Sequence, residues 1–144
     1  MIYLDTGCLV KLYYPEPDSQ KVSALVAGRS ICFNPLHELE FTNALHLKLF
    51  HRSATSAQVR AASALVEADV KSGVLLPAAA NWEKIFRAAT DLARQHSASF
   101  GCRSLDVLHC AAALVLEAGE FEFVSTDARQ KQLAGATGLK LVII

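Results

Sequence analysis

Apolar positions along this chain fall into short blocks separated by stretches of helical period, and the first block comes at once. Ile2-Tyr3-Leu4 reads as a strand that ends at Asp5. The apolar segment 8–14 predicts a helix, stopped where Pro15 and Pro17 remove the backbone donors a helix needs. Asp18 opens a second helix through Ala27, and Gly28 suits its C-terminal cap. Residues 30–33 form the next predicted strand. Asn34 as N-cap with Pro35 at the first helical position starts a helix to about His51, and Thr55-Ser56 starts another to Lys71, with Gly73 beyond. These two predict a helical hairpin. Residues 74–76 suggest a short strand, and 81–98 an amphipathic helix with Ile85, Ala88, Ala89, Leu92 and Ala93 on one face, broken at Gly101. The segment 105–118 predicts a strongly apolar helix, 121–124 a strand, 128–134 a short helix and 139–144 a closing strand.

Strands that alternate with helices favour a three-layer α/β/α arrangement around a mainly parallel sheet, with right-handed crossovers and the hairpin as an insertion. Ligands of such sheets bind outside the carboxyl ends of the strands. At 144 residues the chain fits one domain spanning 1–144.

Composition narrows the class. With 52% hydrophobic and 19% charged residues the chain has a rich interior, and an exposed apolar patch for a partner is compatible with it. No apolar run reaches the roughly 18 to 20 residues that span a bilayer, and the N-terminus lacks the basic and apolar regions of a signal peptide. The expected location is cytoplasmic, without membrane contact. Lys plus Arg (14) equals Asp plus Glu (14), so a nucleic-acid site has to be a local patch rather than a global charge. Cys8, Cys32, Cys102 and Cys110 show no paired spacing and read as free thiols. A zinc site from Cys102, His109 and Cys110 fails, because a helix separates the two cysteines by about 12 Å.

Four acids change the picture. Asp5 and Asp127 each end a predicted strand, so in a parallel sheet both face the same crevice, although each also stands where an N-cap would. Gln130, three residues after Asp127, gives a spacing like that of a capping box. Glu40 has Leu36 and Ala44 one turn to either side and is a better inward candidate than Glu38; an ordinary solvated helix face is the alternative. Asp106 lies in the first turn of a helix apolar nearly all round, where the macrodipole favours it and Arg103 is placed for an ion pair. His109, one turn on, reads as a core residue, with a hydrogen bond to Asp106 as the other reading. Carboxylates withdrawn from water cost several kcal/mol each unless compensated, and one hard cation compensates several at once.

In this order, Ile2-Tyr-Leu-Asp5-Thr6, Glu40-Phe-Thr-Asn-Ala-Leu45, Arg103-Ser-Leu-Asp106-Val-Leu-His109-Cys-Ala-Ala-Ala-Leu114 and Val124-Ser-Thr-Asp127 resemble the PIN-domain ribonucleases, in particular the VapC-like toxins of prokaryotic toxin–antitoxin pairs. Val10-Lys-Leu-Tyr with Glu16, and Leu133-Ala-Gly-Ala-Thr-Gly-Leu139, fit the same pattern, which covers nearly the whole chain. The resemblance implies a PIN-like three-layer fold, a homodimer and one or two Mg2+ or Mn2+ ions. It also implies that Asp5, Glu40, Asp106 and Asp127 form an acidic cluster, with Asp5 and Asp106 as the most direct ligands. Thr6 and Ser125 correspond to the family's small hydroxyl residues at the site.

The expected activity is therefore Mg2+-dependent hydrolysis of RNA phosphodiesters by the toxin of a toxin–antitoxin pair, with RNA, a cognate antitoxin and a second copy as partners. Lys11, Arg103 and Arg129 are candidates for the RNA backbone, and the helices near 45–50 and 59–70 for a protein partner. A PIN-like scaffold that binds RNA or protein without cutting is the alternative. A receiver-like signalling domain fits less well, because Asp5 stands alone after its strand and no lysine follows the last one.

Overall fold

A computed structural model describes residues 1–116 and 121–142. Five strands, β1 (Ile2–Leu4), β2 (Ile31–Phe33), β3 (Leu75–Pro77), β4 (Glu122–Val124) and β5 (Lys140–Val142), form one sheet in the order β3-β2-β1-β4-β5. Every pairing is parallel. Each strand is three residues long. Short strands suffice here because both faces of the sheet are covered, so every side chain of β1 and β2 is buried.

The pleat divides the core in two. Ile2, Leu4, Ile31, Phe33 and Val124 pack on one side with Leu9, Phe41, Leu45 and Val66. Those residues come from α1 (Thr6–Tyr13), α3 (Pro35–Phe50) and α4 (Ser56–Ser72), the last two forming the expected hairpin. Tyr3, Cys32 and Phe123 face the other way, onto Ile85 of α5 (Trp82–Leu92), the apolar body of α7 (Ser104–Leu116) and Leu133 of α8 (Ala128–Ala136). α2 (Ser19–Val26) adds Val22 to the first side. The result is the three-layer α/β/α architecture that the alternation predicts.

Several boundaries differ from expectation. α1 begins at Thr6 rather than Cys8, because Asp5 caps it. The helix expected over 81–98 is interrupted: α5 ends at Leu92, a π-helical turn covers Ala93–Ser97, and α6 (Ala98–Phe100) follows. A wider turn lowers the rotation per residue, and it returns Phe100 to the core face used by Leu92 and Ala93. Gly101, at φ +64°, then turns the chain toward α7, a conformation that an L side chain rarely adopts. The expected last residues of the 105–118 helix and of the 139–144 strand, 117–118 and 143–144, lie outside the described residues.

Among the described residues, no helix is long and apolar enough to cross a membrane. Cys8, Cys102 and Cys110 are free thiols, and Cys8, Cys32 and Cys110 are buried.

Candidate active site

From β1 the chain runs outward to β2 and β3, then returns to the other side of β1 with β4. That reversal opens a crevice at the carboxyl ends of β1 and β4. The register pairs Leu4 with Val124, and the Asp5 amide donates to the Val124 carbonyl at 2.9 Å, so Asp5 and Ser125 leave the sheet side by side.

Asp5 is buried, and each of its oxygens accepts one hydrogen bond. Its Oδ1 accepts the Cys8 amide at 2.6 Å, capping α1, and its Oδ2 accepts the Ser125 hydroxyl. Asp127 does the same work for α8: Oδ1 accepts the amides of Arg129 (2.9 Å) and Gln130 (3.0 Å), while its own amide donates to Ser125 Oγ at 2.9 Å. Capping and a place in the crevice, posed as alternatives by the sequence, are thus both true of these two residues. Gln130 makes no reciprocal capping-box bond. Its side-chain amide lies 2.9 Å from Ser125 Oγ, and Nε2 donates to the Asp106 carbonyl at 3.4 Å.

Glu40 arrives from α3 and Asp106 from α7, so all four acids line one cleft of about 360 Å3 together with Thr6, Arg103 and His109. Glu38 is exposed and borders a different groove. Arg103 carries the expected pair with Asp106, and does so bidentately, with Nε 3.0 Å from Oδ2 and Nη2 3.2 Å from Oδ1. The same Nη2 reaches Asp127 Oδ2 at 3.5 Å. These hydrogen bonds, and then the charge of Asp106, push the guanidinium's pKa above its ordinary value.

Glu40 is held by two donors on one oxygen. Thr6 Oγ1 donates to Oε2 at 2.9 Å, and His109 Nε2 lies 2.5 Å from the same atom. Burial alone would raise the Glu40 carboxyl, but the hydrogen bond and electrostatic influence of His109, the Thr6 hydroxyl and Arg103 outweigh it and hold the pKa below the usual value. His109 therefore does not bond the Asp106 side chain or act only as a core residue. α7 turns it toward α3 and the cleft floor.

The donor chemistry suits a hard divalent cation: four carboxylates face a single guanidinium, and none of the four cysteines lines the cleft. Gly7 also borders it, and a Cβ there would stand 3.5 Å from Asp5 Oδ1, in the approach to that oxygen. Among the described residues, however, no three His, Cys, Asp or Glu side chains are arranged to hold an ion as they stand. Arg103 lies between Asp106 and Asp127 and neutralises both, as a bound cation would.

The PIN-domain profile matches residues 2–136. The chain belongs to the PIN-domain family. PIN domains are generally nucleases and typically use divalent metal ions. In fold, this PIN domain is similar to the crystal structure of FitAcB from Neisseria gonorrhoeae, with a TM-score of 0.61 and 15% identity over 99% of this chain and 97% of that one. No curated protein matches the chain significantly in sequence.

Among the described residues, sequence reasoning did not single out the buried polar set under the cleft. Asn34, recognised only as a cap, also donates through Nδ2 to the Tyr3 hydroxyl at 3.2 Å. His37 donates through Nε2 to the Leu4 carbonyl at 2.8 Å, and its Nδ1 accepts the Asn34 amide at 3.3 Å. Burial, then the electrostatic influence of nearby His109, lowers the His37 pKa to about 3, so His37 is neutral. Tyr3 was the available signal, as the polar member of an otherwise apolar strand. Within the surfaces expected for a partner, Leu45, Val59 and Val66 are core while Leu47, Phe50 and Leu65 are exposed; Leu39, Phe86 and Leu105 are also exposed, around an apolar groove of about 560 Å3 between α3, α5 and α7.

Proposed function

We propose that this PIN domain is a Mg2+-dependent ribonuclease that acts as the toxin of a toxin–antitoxin pair. The observation that carries the reading is the convergence of Asp5, Glu40, Asp106 and Asp127, from two strand ends and two helices, on one cleft with a single guanidinium. Structure alone gives no reason to concentrate negative charge there, since any one cap could be Ser or Asn at little cost.

Asp5 and Asp106 are the residues that would hold the ion, with Glu40 and Asp127 completing its surroundings through water. A divalent cation bound there would supply charge relief on the phosphate and a water more easily deprotonated. The chain's own groups do the rest. Ser125 orients Asp5 through its hydroxyl, and the Cys8 amide holds the other oxygen. Thr6 anchors one oxygen of Glu40 and leaves the other to accept a hydrogen bond from the attacking water. Arg103, released from Asp106 and Asp127, lies at the cleft mouth where it would meet a phosphate; Lys11, whose Nζ is 3.4 Å from Thr126 Oγ1, lies on the same rim. The apolar groove between α3, α5 and α7 supports burial of a protein partner, either the antitoxin or a second copy in a homodimer.

One observation favours a second reading, a PIN scaffold that binds RNA or protein without cutting: the bidentate Arg103–Asp106 pair already satisfies part of the acidic set. Cleavage of a labelled RNA by the purified chain decides between them. The nuclease reading expects cleavage with Mg2+, none with chelator, recovery on adding the metal back, and a loss of at least about a hundredfold in D106N. Equal cleavage with and without chelator, or in D106N, would overturn it, and RNA binding without cleavage would establish the second reading.

A further inference from the structure

Beneath the cleft, Tyr3, Asn34 and His109 are buried beside Ile85, Phe121 and Phe123. A polar group in such a place is unfavourable unless its hydrogen bonds are made, and here all are: no buried side-chain oxygen or nitrogen among the described residues lacks a partner. Tyr3 occupies the middle of the central strand, stacked 5.6 Å from Phe123 and edge-on to His109 at 5.7 Å. Phenylalanine would satisfy that packing, so the hydroxyl is there for another reason.

The direction of the hydrogen bonds can be read from groups whose roles are fixed. Asn34 Oδ1 accepts the Leu36 and His37 amides at 3.0 and 3.2 Å, which assigns Nδ2 as the donor to the Tyr3 oxygen. The Tyr3 hydroxyl then donates to His109 Nδ1 at 3.0 Å. With Nδ1 an acceptor, Nε2 carries the ring proton and points it at Glu40 Oε2. Thr6 donates to that same oxygen. Among the described residues nothing donates to Oε1, and because none of the buried oxygens is without a partner, Oε1 is exposed, on a side chain that lines the cleft.

We infer that Tyr3 and His109 are positioning residues, which fix the Glu40 carboxylate with Oε2 turned inward and Oε1 presented for the cation and its water. The inference rests on Glu40 belonging to the cation-holding set. It adds a second requirement for activity, a chain of donors that starts at the N-cap of α3 and crosses β1 and α7 before returning to α3 nearly two turns further on. Outer partners of this kind generally contribute a factor of ten to a hundred to metal affinity or activity.

The test uses the full chain and Mn2+ alone as the probe, with affinity measured by electron paramagnetic resonance for wild type, Y3F, H109L and H109Q. RNA cleavage and thermal melting are recorded on the same preparations. Y3F and H109L are expected to weaken Mn2+ binding about tenfold or more, and to lower kcat more than they raise KM. H109Q, whose amide can still donate to Oε2, recovers most of both. The inference is overturned if Y3F, which keeps the ring and its packing, binds Mn2+ within twofold of wild type with kcat unchanged. It is equally overturned if H109Q is as impaired as H109L, because the imidazole would then matter only for packing. Wild type that binds no Mn2+ would overturn the metal reading itself, and this inference with it.

Discussion

Arg103 stands where a cation would be useful, and removing its charge gives a measurable consequence. The guanidinium touches Asp106 twice and Asp127 once, but its side chain is 69% exposed. A pair of unit charges near 4 Å is worth about 1 kcal/mol in water and about 4 at an effective dielectric of 20. Exposure places this contact at the low end, about 1 kcal/mol after screening. For a chain of 144 residues, with an unfolding entropy of about 2.1 cal/mol/K per residue, that corresponds to a fall of about 3 °C in Tm for R103Q in chelator. Glutamine retains a donor to Asp106, so the loss is mainly one of charge. If the cleft takes the ion as proposed, Mn2+ neutralises the acids in both proteins, and the variant offers it more uncompensated charge. The rise in Tm on adding millimolar Mn2+, followed by differential scanning fluorimetry, is therefore larger in R103Q than in wild type, and the gap between them closes. Equal melting temperatures in chelator together with equal Mn2+ shifts would refute the claim that Arg103 substitutes for the ion.

Three further predictions separate the roles of individual residues. D5N keeps the α1 cap, since asparagine caps as well as aspartate, so it should melt within a few degrees of wild type while losing Mn2+ binding by calorimetry; a large fall in stability with binding intact would contradict the assignment. E40Q should reduce RNA cleavage by at least tenfold and E38Q should leave it unchanged, because only Glu40 borders the cleft; comparable losses in the two would remove the distinction. Acid should destabilise the fold through His37. Below about pH 6.5 the unfolded chain takes up a proton that buried His37, with its pKa of about 3, refuses, so stability falls as pH falls. The slope approaches about 1.4 kcal/mol per pH unit, or about 2 kcal/mol between pH 7 and 5. The depressed Glu40 carboxyl adds to this only at lower pH, as the solution approaches the ordinary carboxylate range. Urea unfolding at the two pH values measures it, and a wild-type loss no larger than that of H37Q would show that His37 is not responsible.

Much of this fold is written locally. A three-residue apolar block followed by an aspartate is enough to place Asp5 at a strand end, and the Asn34-Pro35 and Thr55-Ser56 signals start α3 and α4 where expected. Glu40 could be separated from Glu38 by its neighbours one helical turn away. What could not be read depends on contacts between distant segments. Arg103 and Asp106 are three residues apart and predictable as a pair, whereas the reach to Asp127 spans 24 positions and depends on how α7 and β4 are brought together. Tyr3 and His109 are 106 residues apart. An imidazole in a helix apolar nearly all round looks like filling, and only the packing of α7 against α3 shows that its Nε2 meets a carboxylate. The π-helical turn at Ala93–Ser97 has no signature in its residues, since a helical pattern and a helical pattern with one wide turn differ only in phase.

On the proposed reading, four carboxylates gathered at the switch point of a parallel sheet hold a divalent cation. A crystal of the chain soaked in Mn2+ and measured at the manganese absorption edge tests it most directly. An anomalous peak is expected in the cleft within coordination distance of Asp5 and Asp106, with Arg103 displaced from Asp106. A cleft that stays empty at millimolar Mn2+ with the Arg103–Asp106 pair intact, or a peak that appears only elsewhere on the protein, would contradict it.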